Sequence, residues 1–228
     1  MLKERSSELE IMDDLEISGP VVAQTLKELN TINKTLGGNA ISVSAFKKLI
    51  QGHQNVTVAD LGCGGGDIMV EMAKKAQMSD GKAKFIGIDA NAHIIDYARG
   101  NTSNYPEITY QSINIFSEEF KKMECDIIHC CLFLHHFSNQ ELIELFRTFK
   151  SQAKIGVIVN DLHRHPLAFW SIKLLTRLFS KSEMVRNDAA VSVARGFKKA
   201  ELIELLAKAG VDRYSLSWKW AFRWKLVF

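Results

Sequence analysis

Four cysteines stand in 228 residues, and no two of them form a C-x-x-C pair. Cys63, Cys125, Cys130 and Cys131 also match no Cys/His spacing of a zinc site. Their reading is reduced thiols in a cytosolic core. No stretch approaches the ~20 apolar residues that span a bilayer. The opening Met1-Leu-Lys-Glu-Arg-Ser-Ser-Glu lacks the apolar run of a signal peptide, so a soluble, cytoplasmic chain is expected. A concentrated basic stripe is missing too. Lys+Arg 29 against Asp+Glu 26 leaves +3, with both signs spread along the length, which gives no warrant for a nucleic-acid groove. Neither an internal repeat nor a low-complexity tract is present. The length suits one α/β domain with modest additions, and a chain of this size buries roughly 70–75% of its unfolded surface without needing a staple.

Two helical patterns flank Gly19-Pro20, with Pro placed to open the second. The second carries Val22, Leu26, Leu29, Ile32 and Leu36 at helical spacing and stops at Gly37-Gly38. A short helix over Ala40–Ile50 completes an N-terminal helical cap, residues 1–54. From Asn55 the pattern alternates. Val56–Leu61, Phe85–Asp89, Ile108–Ile113, Asp126–Cys131 and Ile155–Asn160 read as strands. Helical patterns near Asp67–Gln77, Ala92–Arg99, Gln140–Phe149 and Lys198–Ala209 are interleaved with them. Ser138 with Glu141 is a capping-box signature. Alternation of this kind implies a doubly wound, mostly parallel sheet covered on both faces. Tyr214–Trp218 and Phe222–Phe228 read as an antiparallel hairpin at one sheet edge, for seven strands in all. Residues 161–197 are too many for an ordinary connection. They hold an amphipathic helix, Leu167–Phe179, with a basic side at Lys173, Arg177 and Lys181. Ligands in such folds bind beyond the carboxyl ends of the strands, so this insertion is expected to be a lid over the pocket. A dimer contact and a membrane-surface helix are the alternatives.

The first strand runs into Asp60-Leu-Gly62-Cys-Gly64-Gly65-Gly66-Asp67. Glycines at alternate positions let the chain turn tightly and let a ligand approach the backbone. A Walker loop would need Gly-Lys-Ser/Thr. The dinucleotide fingerprint G-x-G-x-x-G fails from Gly62, because position 67 is Asp, and from Gly64, because position 69 is Met. Asp67 at the helix opening also disfavours a pyrophosphate. The second strand ends in Asp89, placed to accept hydrogen bonds from both hydroxyls of a ribose.

VADLGCGGGD, FIGIDAN and CDIIHCCLFLHHF together resemble the successive motifs of class I S-adenosylmethionine (SAM)-dependent methyltransferases, over roughly Asn55–Phe149. The resemblance implies a Rossmann-like methyltransferase fold over residues 55–228, with SAM as cofactor and S-adenosylhomocysteine as product. It places Asp60, Gly62, Gly64 and Gly66 along the methionine moiety and Asp89 on the ribose. Asn114, with Ile115 beside it, stands where many members carry Asp near the adenine amine. MDDLEISGPVVAQTLKELNTINKTLGGN and NDLHRHPLAFWSIKLLTRLF are similar to segments of bacterial methyltransferases associated with type III polyketide synthases. That similarity implies phenolic, polyketide-derived or quinone-like acceptors.

A phenol, with a pKa near 10 by analogy with Tyr, benefits from a general base. His135 and His136 follow the fourth strand; His163 and His165 follow the fifth, beside Asp161. His136, and His163 oriented by Asp161, are the candidate catalytic groups. Arg164 is read as a solvated arginine. Several of these histidines around a metal would also fit catechol-type O-methylation, but the reading adopted includes no metal. Small-molecule O-methylation is favoured over C-methylation, with no nucleic-acid partner, no stable membrane insertion and a homodimer left open. A non-catalytic SAM-binding partner subunit and a nucleic-acid methyltransferase are the competing readings.

Overall fold

The computed structural model describes residues 2–78 and 82–228. Five strands, β1 (Val56–Leu61), β2 (Ala83–Asp89), β3 (Ile108–Ser112), β4 (Cys125–Cys131) and β5 (Ala153–Leu162), pair in parallel. Two more, β6 (Ser215–Lys219) and β7 (Arg223–Val227), form an antiparallel hairpin. The sheet order is β3-β2-β1-β4-β5-β7-β6. β7 is thus an interior strand, antiparallel to β5, and β6 is the edge on that side, with β3 at the other. Central strands such as β1 and β4 are buried almost throughout, which is why they read as continuous apolar runs.

Helices cover both faces. On one side α2 (Gly38–Leu49), α3 (Asp67–Gln77) and α4 (Ala92–Asn101) bury Phe46, Met69, Met72 and Ile95 against Phe85 and Ile127. On the other, α5 (Glu118–Lys121), α6 (Asn139–Gln152) and α9 (Lys199–Lys208) bury Phe120, Phe146, Phe149 and Leu206 against Ile128 and Val159. Each of these large side chains contributes about 1.5–3 kcal/mol by leaving water. Ser138 Oγ accepts the Glu141 N–H at 3.3 Å while the Glu141 carboxylate accepts the Ser138 N–H at 2.8 Å, closing the expected capping box on α6. The remaining helices, α1 (Pro20–Thr35), α7 (Pro166–Phe179) and α8 (Glu183–Arg195), join the N-terminal segment beside the carboxyl ends of the strands.

Two expectations change. The charged segment before Gly19 is no helix. It is extended apart from a single 3-10 turn, Ile11–Asp13, because its backbone N–H groups are taken elsewhere: Ile11 and Met12 donate to the two oxygens of Asp188 on α8, at 2.9 and 3.1 Å. The insertion after β5 holds a second helix, α8, that has no clean apolar stripe. Met184, Val185, Asp188, Val191, Val193, Ala194 and Arg195 are all buried; a helix enclosed on most sides loses the one-faced periodicity that marks a surface helix. The four cysteines are free thiols, and burial pushes Cys125 up to about 11 and Cys131 to about 12. Among the described residues no helix is long and apolar enough to cross a membrane.

Gly66 caps α3 at φ +77°, and a Cβ there would lie 2.1 Å from Tyr110 Oη. Gly66→Ala combines left-handed backbone strain with overpacking and should destabilise the protein by about 2–4 kcal/mol. Urea denaturation measures this; a loss below about 1 kcal/mol, the low end of overpacking costs, would show that Tyr110 yields freely.

Candidate active site

A cavity of about 730 Å³ opens at the carboxyl ends of the strands. The glycine loop forms its floor. Gly62 and Cys63 both donate to the Ile88 carbonyl, at 2.8 and 3.2 Å, so the loop folds back over the end of β2. Gly62 has φ +64°, and a Cβ on it would lie 2.2 Å from the Phe133 ring. Gly64 has φ +51° and only Leu26 within reach, at 3.5 Å. Gly62, Gly64 and Gly65 line the cavity. Gly66, next in the loop, is not among the lining residues, and a Cβ on it would meet Tyr110 Oη.

Asp60 reaches the cavity wall but its Oδ1 is held 2.6 Å from His129 Nδ1, whose Nε2 meets Ser42 Oγ at 2.8 Å. Asp89 stands at the end of β2. Burial pushes its carboxyl up to about 6, against the pull of backbone N–H groups from Asn91, Gly64 and Ala90. Asn114 and Ile115 line the same cavity, and Asn114 Oδ1 already accepts the Phe116 N–H at 2.9 Å. One lone pair of that oxygen is therefore in use. Arg223, at the start of β7, adds a buried cation to the wall; its Nη2 donates to Asn33 Oδ1 at 2.7 Å.

The histidines fall into two groups. His136 lines the cavity and its Nδ1 lies 2.5 Å from Asp13 Oδ1. Burial alone would raise Asp13, but His136 and Arg195 hold it far below the usual carboxylate range. An ionised Asp13 accepts the hydrogen bond of Nδ1–H and leaves Nε2, without a protein partner among the described residues, as the nitrogen free to accept a proton. His135 stacks on His136 with ring centroids 4.4 Å apart. Its Nδ1 lies 2.7 Å from Asp161 Oδ1 and its Nε2 3.4 Å from Glu10 Oε1. Burial would lower His135, yet Asp161 and Glu10 outweigh it and bring it to about 9. Glu10, His135 and His136 are grouped closely enough to ligate a cation; His135 Nε2 and Glu10 Oε1, 3.4 Å apart, are both buried without a hydrogen-bond partner.

Asp161 does not orient His163, contrary to the sequence reading. It accepts backbone N–H groups from Leu134 at 2.8 Å and Leu162 at 2.7 Å as well as the His135 ring. His163 packs instead against Trp224 and Phe222, 5.0 and 6.3 Å between centroids, outside the cavity lining. Burial and the neighbouring His165 and Arg164 charges hold it below the ordinary histidine value. Arg164 is buried rather than solvated and pairs with Glu201. The groups missed by sequence reasoning are Glu10, Asp13 and Arg195. Arg195 donates to the carbonyls of His135 and His136 and to Asp13; no local motif marks any of the three.

The sheet order and its two helical layers match the Rossmann-like methyltransferase fold. Residues 58–156 match the family model described as a methyltransferase domain. No curated protein sequence matches the chain. Among solved structures it is similar to a Nostoc punctiforme protein assigned as an O-methyltransferase, at 18% identity over 91% of this chain and 59% of that one (TM-score 0.63). It is similar also to human N-acetylserotonin methyltransferase in complex with SAM, at 18% identity over 90% and 55% (TM-score 0.64). A third is the magnesium protoporphyrin IX methyltransferase of Synechocystis with bound S-adenosylhomocysteine, at 18% over 86% and 85% (TM-score 0.57). The chain spans a little over half the length of the first two. At this identity the likeness establishes the fold, the Rossmann-like methyltransferase architecture.

The buried cluster makes stability pH-dependent. His135 at about 9 lies above its unfolded value. Its contribution is therefore complete below about 6.5 and lost as the pH rises through about 9. Asp161 and Glu10 are held low, so theirs is present above about 4 to 4.5 and lost as the pH falls. Glu10→Gln removes one of the two carboxylates facing His135. It should lower the thermal midpoint near neutrality and make the alkaline decline between those limits shallower. An unchanged decline would show that Glu10 does not stabilise the imidazolium.

Proposed function

We propose that the chain methylates a small apolar phenolic or quinol-like acceptor, with SAM as donor. The observation that carries this is convergence: the glycine loop, the Asp89 carboxylate and the His136–Asp13 pair border one cavity. The fit to SAM is chemical. Gly62 and Gly64 present backbone without a Cβ, Asp89 supplies an acceptor for ribose hydroxyls, and Asn114 retains a lone pair for an adenine amine. Arg223 adds positive charge suited to the methionine carboxylate.

Bound SAM supplies an electrophilic methyl on a sulfonium. Much of the acceleration then comes from holding the acceptor in line with that methyl, since orientation is worth about 7–11 kcal/mol. His136 Nε2 is the base for the phenolic proton, and Asp13 fixes the tautomer and steadies the imidazolium that forms. The apolar lining from Leu9, Met12, Leu29, Ile172 and Leu175 favours an acceptor with a hydrocarbon or aromatic body. It supports oxygen methylation of a hydroxylated ring over modification of a charged nucleic acid. The protein is proposed to act in the cytoplasm.

Calorimetric titration with SAM and separately with NADH tests the cofactor; micromolar SAM binding without NADH binding is expected, and no SAM binding in folded protein would end the proposal. Asp89→Ala should weaken SAM about tenfold or more, as loss of a charge-assisted bond of ~1.5–3 kcal/mol requires. Because only the ionised carboxylate accepts both hydroxyls, wild-type affinity should fall as the pH drops below about 6, and Asp89→Ala should lack that dependence. With a panel of phenols and quinols, His136→Ala should cut S-adenosylhomocysteine release about a hundredfold or more, the range of general-base catalysis, at unchanged SAM affinity. His163→Ala should stay within twofold of wild type. Equal rates for His136→Ala and wild type would remove the base and favour a carbon acceptor.

A further inference from the structure

Helix α7 presents apolar side chains to both sides. Ala168, Ser171, Ile172 and Leu175 line the cavity. Leu167, Trp170, Leu174 and Leu178, at i, i+3, i+7 and i+11, form a second stripe that faces solvent at 63%, 60%, 58% and 64% exposure. Phe179 continues it, and Leu175, 41% exposed, stands on the lip between stripe and cavity. At the N-terminal end His165 stacks on Phe222, which contacts Trp218. Trp218 and Trp220, 46% and 71% exposed, lie beyond this contact, and Trp220 also lines the cavity. Isolated exposed hydrophobics need no explanation, but a contiguous patch bordering a cavity marks a binding surface.

Charge identifies the occupant. Lys173 and Arg177 flank the stripe and Lys181 follows the helix, while residues 166–182 contain no acid. Two carboxylates stand near this end: Glu28, which accepts from the Ser180 hydroxyl and the Lys181 N–H, and the exposed Glu183 at the start of α8. A twofold contact through this helix would bring two such cation-flanked faces together with no carboxylate of α7 to pair them. A tryptophan- and leucine-bearing face flanked by Lys and Arg is instead the arrangement of a helix lying in a lipid–water interface. At 14 residues α7 is too short to span a bilayer.

We propose that α7 is an interfacial helix that lays Leu167, Trp170, Leu174 and Leu178 onto an anionic phospholipid bilayer. Docking in this orientation places the lip at Leu175 against the acyl chains. Resting on the methyl-transfer reading above, this geometry makes the acceptor a lipid-soluble phenol or quinol that passes from bilayer to cavity without crossing water.

The test is co-sedimentation of the full chain, without cofactor or acceptor, with vesicles of phosphatidylcholine alone and of an equal mixture with phosphatidylglycerol. Binding to the anionic vesicles is expected, weaker on zwitterionic ones and reduced by salt. Each basic residue near an anionic surface raises affinity about fivefold, so Lys173→Glu with Arg177→Glu should lower it at least twenty-five-fold. Leu174→Glu, on a side chain that already faces solvent, should lower it at least tenfold while circular dichroism and SAM affinity stay unchanged. No association with either vesicle would overturn the proposal. So would a dimer in light scattering that Leu174→Glu dissolves, which would assign the face to a second copy. Intact SAM binding with failed vesicle binding would sink this inference alone; failed SAM binding would sink the methyltransferase reading and leave vesicle association standing.

Discussion

A carboxylate shut away from water must be surrounded by donors, and Asp161 collects the N–H groups of Phe133, Leu134, His135 and Leu162 together with the His135 ring. All but one of these belong to the loop after β4, whereas Asp161 belongs to β5. The end of one strand therefore dictates the path of the loop leaving its neighbour. That path holds Leu132 at φ +52° and sets the Phe133 ring over Gly62, where no Cβ fits. Removing one partner of such a buried pair typically costs about 3–5 kcal/mol, because the stranded donors have no water to turn to.

The same carboxylate reaches the N-terminal segment through His135. Glu10 meets the far nitrogen of that ring and Asp13 holds His136, while Arg195 ties both histidine carbonyls to Asp13. Asp188 takes the backbone of Ile11 and Met12, and Arg5 binds the carbonyls of His135, Phe137 and Arg195. The segment is thus clamped between the β4 loop and α8 by charge, not by its own hydrogen bonds. Its apolar side chains, Leu9, Met12 and Leu15, are left free to wall the cavity.

Legibility in the sequence follows how local the cause of each feature is. The strands were readable because strands buried on both faces are continuous apolar runs, and α3 because its glycine turn and its Asp67 start are adjacent in sequence. Asp60, Gly62, Gly64, Asp89, Asn114, Ile115 and His136 all reach the cavity, since the loops at strand ends carry them there directly. His163 was misplaced because β5 continues through Leu162, with a bridge from His163 to Phe197; the pleat, not a free loop, decides where that ring points. Glu10, Asp13 and Arg195 were out of reach because their partners lie far along the chain, and pairing over that distance leaves no trace in local periodicity.

The position of β7 between β5 and β6 has a bearing on biosynthesis. Ribosomes deliver about 5–20 residues per second, and the five parallel strands can assemble while later residues are still being made. Until Val227 has been added, however, β5 keeps a bare edge of backbone donors and acceptors, and β6 has no neighbour to join. During that interval the nascent sheet offers an apolar strand edge to any other unfinished chain nearby.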